Sequence, residues 1–198
     1  MGTLAHDRTE AADARATWMP ESVLHCLATL DIHPASTRDI EIARGLAAEL
    51  IGPYVATGET FADVHRKSHA SLFVYRQNGE ITGTLGIVPL QPRGLDAVIR
   101  DTFDAKNPAR DTVCAPGDSF AALYGWGFAA RTRKAAAAVV IGSMRLRDTV
   151  FAPIPCFTRA ATPAGARVIC TKMGYRPYRG SSSGLLISPV APPLADVA

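Results

Sequence analysis

The chain has 198 residues, enough for one domain with a full core and short of what two would need. With 47% hydrophobic and 20% charged residues it has the composition of a globular protein, which excludes a disordered or collagenous chain. A formal charge of +3 raises no strong field toward nucleic acid or membrane, and no apolar run approaches the ~20 residues needed to cross a bilayer, so neither is expected as a partner.

In chain order, residues 1–20 read as a polar, flexible arm closed by Pro20. The arm lacks the apolar core of a signal peptide. Cys26, Cys114, Cys156 and Cys170 show no CxxC spacing, so reduced thiols and a cytoplasmic location are expected. A short helical pattern covers 21–30, followed by the break DIHPAS. Residues 37–51 predict a longer helix: Ser36 or Thr37 caps it, Asp39 and Glu41 suit the dipole of its first turn, and Ile40, Ala43, Leu46, Ala47, Leu50 and Ile51 repeat at helical spacing. Gly52-Pro53 stops it, and a further helix is expected over 59–69. SLFVYRQ (71–77) and EITGTLGIVPL (80–90) then form a hairpin around Asn78-Gly79, the preferred two-residue turn.

The stretch 91–118 reads as irregular around a short helix at 95–104. A strand at 119–130, a long helix at 134–151, a strand at 154–160, a helix at 163–173 and a strand at 185–189 follow, with the tail 191–198 expected to fray. Residues 21–190 thus predict one α/β domain.

The junction FAARTRKAAAA (128–138) carries the functional signal. A strand feeding a helix N-terminus presents N–H groups without helical partners, which is an anion site. Arg131, Arg133 and Lys134 cluster there, against the dipole, at a cost of ~0.3–1 kcal/mol each. A bound polyanion reverses that cost. A plain alanine-rich helix with basic residues at its start is the competing reading.

The same residues resemble the Val-x-Pro-x-x-Arg/Gln-x-x-Gly-x-Gly/Ala pattern of the GNAT N-acyltransferases. Phe128 stands at the Val position, Ala130 at the Pro, Arg133 at the Arg/Gln, and Ala136 and Ala138 at the last two small residues. TPAGARVICTKMGYRP (162–177) resembles the last helix of that family and its Gly-Tyr exit, Gly174-Tyr175, and the Asn-Gly hairpin resembles its second and third strands. The resemblance spans roughly 37–190. It implies an α+β fold with a mixed, mostly antiparallel central sheet flanked by helices. Lys134 and Ala136 replace glycines of the usual loop, which keeps N–H donors but loses the closest backbone approach.

The resemblance further implies acetyl-coenzyme A as acyl-donor cosubstrate, with no metal, and direct attack by a small-molecule or protein amine. Coenzyme A would be held by Trp126, Phe128, Ala129, Arg131, Arg133, Lys134, Ala135, Ala136, Ala137 and Ala138, its pantetheine amides pairing with main chain near Trp126 and Phe128 as an added strand does. A tyrosine four residues before the helix-terminal glycine serves many members as proton donor to the thiolate. Cys170 occupies that position, either as the acid or as a packing residue, and Tyr175 and Tyr178 are substitutes. Tyr124 and Asp118, on or near the central strand, and His65 and His69 are candidates for the base, and a solvent relay is a further one. His65-x-x-x-His69 shares a helical face, yet two solvated histidines outweigh a metal site. Asp96, Asp101, Asp104 and Asp111 are solvated loop acids or an attraction for a cationic amine, and Trp18 and Trp126 read as core. A strand after 185 offers an edge for a homodimer. Two other readings stand beside the enzyme: a GNAT-like coenzyme A-binding or regulatory module without turnover, and an unrelated α/β domain that binds another phosphorylated ligand.

Overall fold

The structure is a computed structural model that describes residues 16–53, 55–179 and 181–189. The arm expected over 1–20 lies outside the described residues as far as residue 15, as does the tail from 190. Where the arm enters the described part it is core. Ala16–Thr17 (β1) pairs with Ser119–Phe120 (β5), and Trp18, 1% exposed, donates its indole N–H to the Ser68 carbonyl at 2.8 Å.

Pro20–Ala28 (α1) begins on its proline, whose missing N–H costs nothing at that position. Ile32–Pro34 (β2), read from sequence as a break, is a strand at the sheet edge, where a proline is tolerated. Thr37–Ile51 (α2) takes the expected bounds. The Asp39 carboxylate accepts from the Ser36 amide (2.9 Å), from the Ser36 hydroxyl (2.8 Å) and from Arg76 Nη2 (2.6 Å). One carboxylate therefore caps α2 and ties it to the hairpin. Gly58–Ser68 (α3) ends at His69 in the left-handed conformation. Leu72–Gln77 (β3) and Glu80–Leu90 (β4) form the expected hairpin, with Asn78 and Gly79 at φ of 52° and 83° as the tight turn demands.

Pro92–Ile99 (α4) starts and stops earlier than the 95–104 expected, because Pro92 initiates it and Asp101, at φ 61°, breaks it. Ala122–Ala130 (β6) leads into Arg133–Arg145 (α5), then a π-helical turn at Leu146–Val150, Cys156–Arg159 (β7), Pro163–Arg167 (α6), a second π-helical turn at Val168–Lys172, Arg176–Pro177 (β8) and Leu185–Ile187 (β9).

Among the described residues seven strands make the main sheet, in the order β2-β3-β4-β6-β7-β9-β8, antiparallel throughout except for β6 beside β7. A parallel neighbour needs a crossover, and α5 supplies it. This is the mixed, mostly antiparallel sheet that the resemblance implies. Strand alternation divides the core by face. Phe73, Tyr75 and Leu123 join α1 and α5 residues such as Leu27 and Val139 in one cluster. Leu72 and Val74 face α2 and α3, and Ala122 and Tyr124 face α3 and α4, through Val64 and Val98. The strand after 185 is not a free edge, since β9 lies between β7 and β8.

Candidate functional site

The middle of the sheet opens after Gly125. β6 and β7 are in register only as Leu123–Cys156, Tyr124–Phe157 and Gly125–Thr158, and the last link is the Thr158 hydroxyl donating to the Gly125 carbonyl at 2.9 Å. Beyond it β7 continues with β9, where Arg159 faces Leu185, while β6 runs on to Ala130 paired, among the described residues, only with β4. The departure has a local cause. Gly86 pairs with Gly127 and Ile87 with Gly125, which leaves Trp126 as an extra residue in β6. Such a bulge bends its strand and increases the local twist. Gly127 sits at φ 139°, a conformation that side chains rarely adopt. Gly86, Gly125 and Gly127 sit at the bend, where a Cβ on Gly86 would lie 3.0 Å from that of Trp126.

The result is a slot between β6 and β7. Gly125, Trp126, Gly127 and Phe128 form one side, and Thr158, Arg159, Ala161 and Thr162 the other, with Ser143, Leu146 and Ile169 from α5, its π turn and that of α6 below. From Trp126 onward one edge of the β6 backbone has no neighbouring strand among the described residues. A second hollow, between α2 and the opposite face of β6, reaches the same residues Gly86, Trp126, Gly127 and Phe128. Trp126 is held by an indole N–H donated to the Ala105 carbonyl at 2.5 Å and by the Phe61 ring, 4.4 Å between centroids.

At the vertex stands Arg159. Its Nη1 meets the Tyr124 hydroxyl at 3.4 Å, its Nη2 meets Asp101 Oδ1 at 2.8 Å, and Nε and Nη2 both donate to the Ser183 hydroxyl. Asp101 also accepts from Ser181, from the Ser182 amide and from Ser183. These bonds, that of Ser183 foremost, hold the Asp101 carboxyl down at about 2, so the pair with Arg159 is ionised at neutral pH. Burial pushes the Tyr124 phenol up, only partly offset by the Arg159 charge. Tyr124 is thus a neutral hydroxyl, suited to donate a hydrogen bond and unsuited to act as a base.

The sequence-predicted residues fall into three groups. Trp126 and Phe128 line the slot, and Ala129 lines the hollow on the other face. The start of α5 is capped from within. Thr132 Oγ1 accepts from the Ala135 amide at 3.1 Å, and the Ala136 amide bonds the Thr132 carbonyl at 2.9 Å. Without loop glycines the chain enters the helix at once, and Ala135, Ala136, Ala137 and Ala138 do not offer the row of free amides expected of them. Only the Arg133 and Lys134 amides, at the first two helical positions, keep the outward orientation. Ala135 is fully buried against β4, Arg131 pairs with Glu49 at 2.6 Å, and Arg133 and Lys134 are exposed.

Cys170 is exposed and does not line the slot. Gly165, Ile169 and Met173, spaced by four, face it, and Cys170 is one residue out of that stripe. Tyr175 reaches the slot wall as a buried phenol whose pKa is raised by burial. Tyr178 packs edge-on against Phe157. His65 is a local structural group, its Nδ1 accepting from the Ser71 and Leu72 amides at 3.3 and 3.1 Å. Among the described residues no cluster of three His, Cys, Asp or Glu side chains suits a metal ion. Asp118 accepts from the Ala115 amide and from Gln91, also as a structural group. Sequence reasoning missed Arg159, Thr158 and Arg147. The available signal was a polar Thr-Arg pair ending a strand next to the central one.

This topology and its splayed central pair give the chain a GNAT-like fold. No family model matches the sequence, and no curated protein matches it. Solved structures similar in fold include two described as acetyltransferases. One, described as a "putative acetyltransferase" of Staphylococcus aureus, is 16% identical with a TM-score of 0.45, over 79% of this chain and 95% of that one. The other, described as histone acetyltransferase HPA2 and related acetyltransferase of Corynebacterium glutamicum, is 17% identical with a TM-score of 0.46, over 83% and 98%. The activities in those descriptions belong to those proteins. Among the described residues no helix is long and apolar enough to cross a membrane.

Proposed function

We propose that the chain is a coenzyme A-dependent N-acyltransferase that passes an acyl group, acetyl being the simplest, directly to an amine. The observation that carries this reading is the parting of β6 from β7 after Gly125, which leaves a strand edge facing a slot beside the start of α5. An extended amide-bearing chain is the ligand that such an edge takes, by main-chain hydrogen bonds. The anionic end of the donor then lies near the Arg133 and Lys134 amides and side chains, and the thioester lies at the vertex.

The thioester supplies an activated acyl carbon. The amine nitrogen forms a bond to it, the carbon–sulfur bond breaks, the nitrogen loses a proton and the thiolate takes one. Arg159 holds positive charge at the vertex, where negative charge grows, and its orientation is fixed by Asp101 and Ser183. Tyr124, whose hydroxyl accepts from Arg159 Nη1 at 3.4 Å, is buried outside the slot lining and supports Arg159 from the α3 and α4 face of the sheet. The deprotonating base is then solvent, since Asp118 and His65 are occupied elsewhere and His69 is exposed and does not line the slot. A coenzyme A-binding module without turnover is the second reading, favoured by the exposure of Cys170 outside the slot.

A thermal melt with acetyl-coenzyme A tests both. Ligand at 100 times its dissociation constant adds ~2.7 kcal/mol, a rise of roughly 5–10 °C for a chain of this length. No shift at millimolar ligand removes both readings. Thiol release with a panel of amines then separates enzyme from module, and Arg159→Gln is expected to lower kcat by about 10²-fold, as loss of one preorganised donor does.

A further inference from the structure

The slot does not end at its vertex. On the face that carries α5 and α6 it continues beneath the paired part of β6 and β7, walled by Leu85, Ile87, Leu123, Leu146, Cys156 and Tyr175. All six belong to the main core cluster, and none is more than 8% exposed. Space bounded by core side chains forfeits the dispersion contacts that a filled core makes. Water fills such space only where two or more polar groups are free to bind it. Here two of the polar side chains are already paired within the protein, and of the six wall residues only Tyr175 brings a further polar group, its hydroxyl. The Cys156 thiol, kept protonated by burial, donates to the Ile154 carbonyl, and Arg147 is matched by Asp148 at 2.6 Å and by the Met173 carbonyl.

We propose that this blind end is an acyl-chain pocket and that the donor carries a straight apolar acyl group longer than acetyl. The inference rests on the acyltransferase reading and follows from the direction of the slot. The free edge of β6 runs from Trp126 toward Ala130 and the start of α5, so the coenzyme side of the thioester leaves the vertex that way. The acyl side leaves in the opposite direction, under Leu123 and Cys156. The amine approaches from the other face of the sheet, where Tyr124 lies. The bonds made and broken are those of the transfer already described.

Dissociation constants for coenzyme A and its acetyl, butyryl, hexanoyl, octanoyl and succinyl thioesters, measured by calorimetry on the full chain, test the proposal. Affinity is expected to rise about fourfold for each methylene buried and then to level off where the pocket ends. Equal affinities, or tightest binding of acetyl, overturn it. Tighter binding of succinyl than of butyryl also overturns it, because Arg147 would then be reading a carboxylate. If coenzyme A itself does not bind, the acyltransferase reading falls and takes this one with it; if coenzyme A binds while chain length has no effect, this inference alone falls. Ile169→Phe, which fills the pocket from the α6 side, is expected to cut the ratio of hexanoyl to acetyl affinity at least tenfold. Ile169→Ala, a deletion that keeps the test available should the larger side chain prevent folding, is expected to move the optimum to a longer chain. An unchanged optimum in both variants overturns the proposal.

Discussion

Thr132 decides what the first turn of α5 can bind. Its hydroxyl takes the Ala135 amide and donates to Gln77 Oε1 at 2.5 Å, so one side chain caps the helix and pins it to the end of β3. Thr132→Ala is expected to cost about 0.5–2 kcal/mol, the usual worth of an N-cap, read as a lower urea midpoint. Arg133 and Lys134 behave in the opposite way. Both are exposed cations at the positive end of the dipole, so replacing both by glutamine is expected to leave the protein as stable or more so, by up to ~0.3–1 kcal/mol per site. The same double variant is expected to weaken coenzyme A binding. A loss of stability with unchanged binding would mean that the two cations serve the helix rather than a phosphate. The Arg131–Glu49 pair, more than half exposed on both sides, adds little.

At the scale of elements, two glycines in helices have opposite meanings. A Cβ on Gly94 of α4 would lie 2.6 Å from the Thr112 carbonyl oxygen, a backbone atom that cannot yield cheaply. Gly94→Ala is expected to destabilise by about 1–3 kcal/mol, as overpacking does, and to loosen α4 and with it the approach of Asp101 to Arg159. Gly45 of α2 has nothing within 4 Å of its Cβ position, so Gly45→Ala is expected to stabilise by about 0.5–1 kcal/mol. Melting temperatures of the two variants, moving in opposite directions, check both. The π turns that close α5 and α6 have a shared effect. They deliver Leu146 and Arg147 from one side, and Ile169 from the other, to the same slot. Cys170 is singled out by its place four residues before Gly174, a count along the chain that takes no account of the change in winding, and Ile169 is the residue that reaches the slot.

For the whole molecule, stability against acid is set by a few groups whose charge the fold changes. His65 has its pKa lowered below 6.5, by burial first and by His69 second. The folded state binds that proton less readily than the unfolded chain, so stability is full above 6.5 and declines as pH falls below it. Asp39 is raised by burial but lowered more by the hydrogen bonds of Arg76 and Ser36, and Asp101 is held at about 2. Their contributions are full above 3.8 and are lost as pH falls below it. Urea midpoints measured against pH are expected to show two descending steps, and His65→Asn is expected to remove the upper one. A single step near pH 4 in the unsubstituted chain would mean that His65 titrates normally.

Local chemistry fixed α2, the Asn78-Gly79 hairpin, most of the strand read over 119–130, which divides into β5 and β6, and the cluster of cations after it, because caps, turn residues and periodicity act within a few residues of chain. The edge strands β1 and β2 were not legible, since two or three residues become a strand only when a partner from elsewhere, Phe120 or Tyr75, is brought beside them. The site divides in the same way. Trp126 and Phe128 followed from the motif on their own strand. Arg159, Asp101 and Ser183 come from three segments up to 82 positions apart, and the slot between them exists because one bulge at Trp126 turns β6 away from β7. A sequence records which residues are available to bind; how far two neighbouring strands diverge is settled by the summed twist and packing of the whole sheet, which no short window of residues contains.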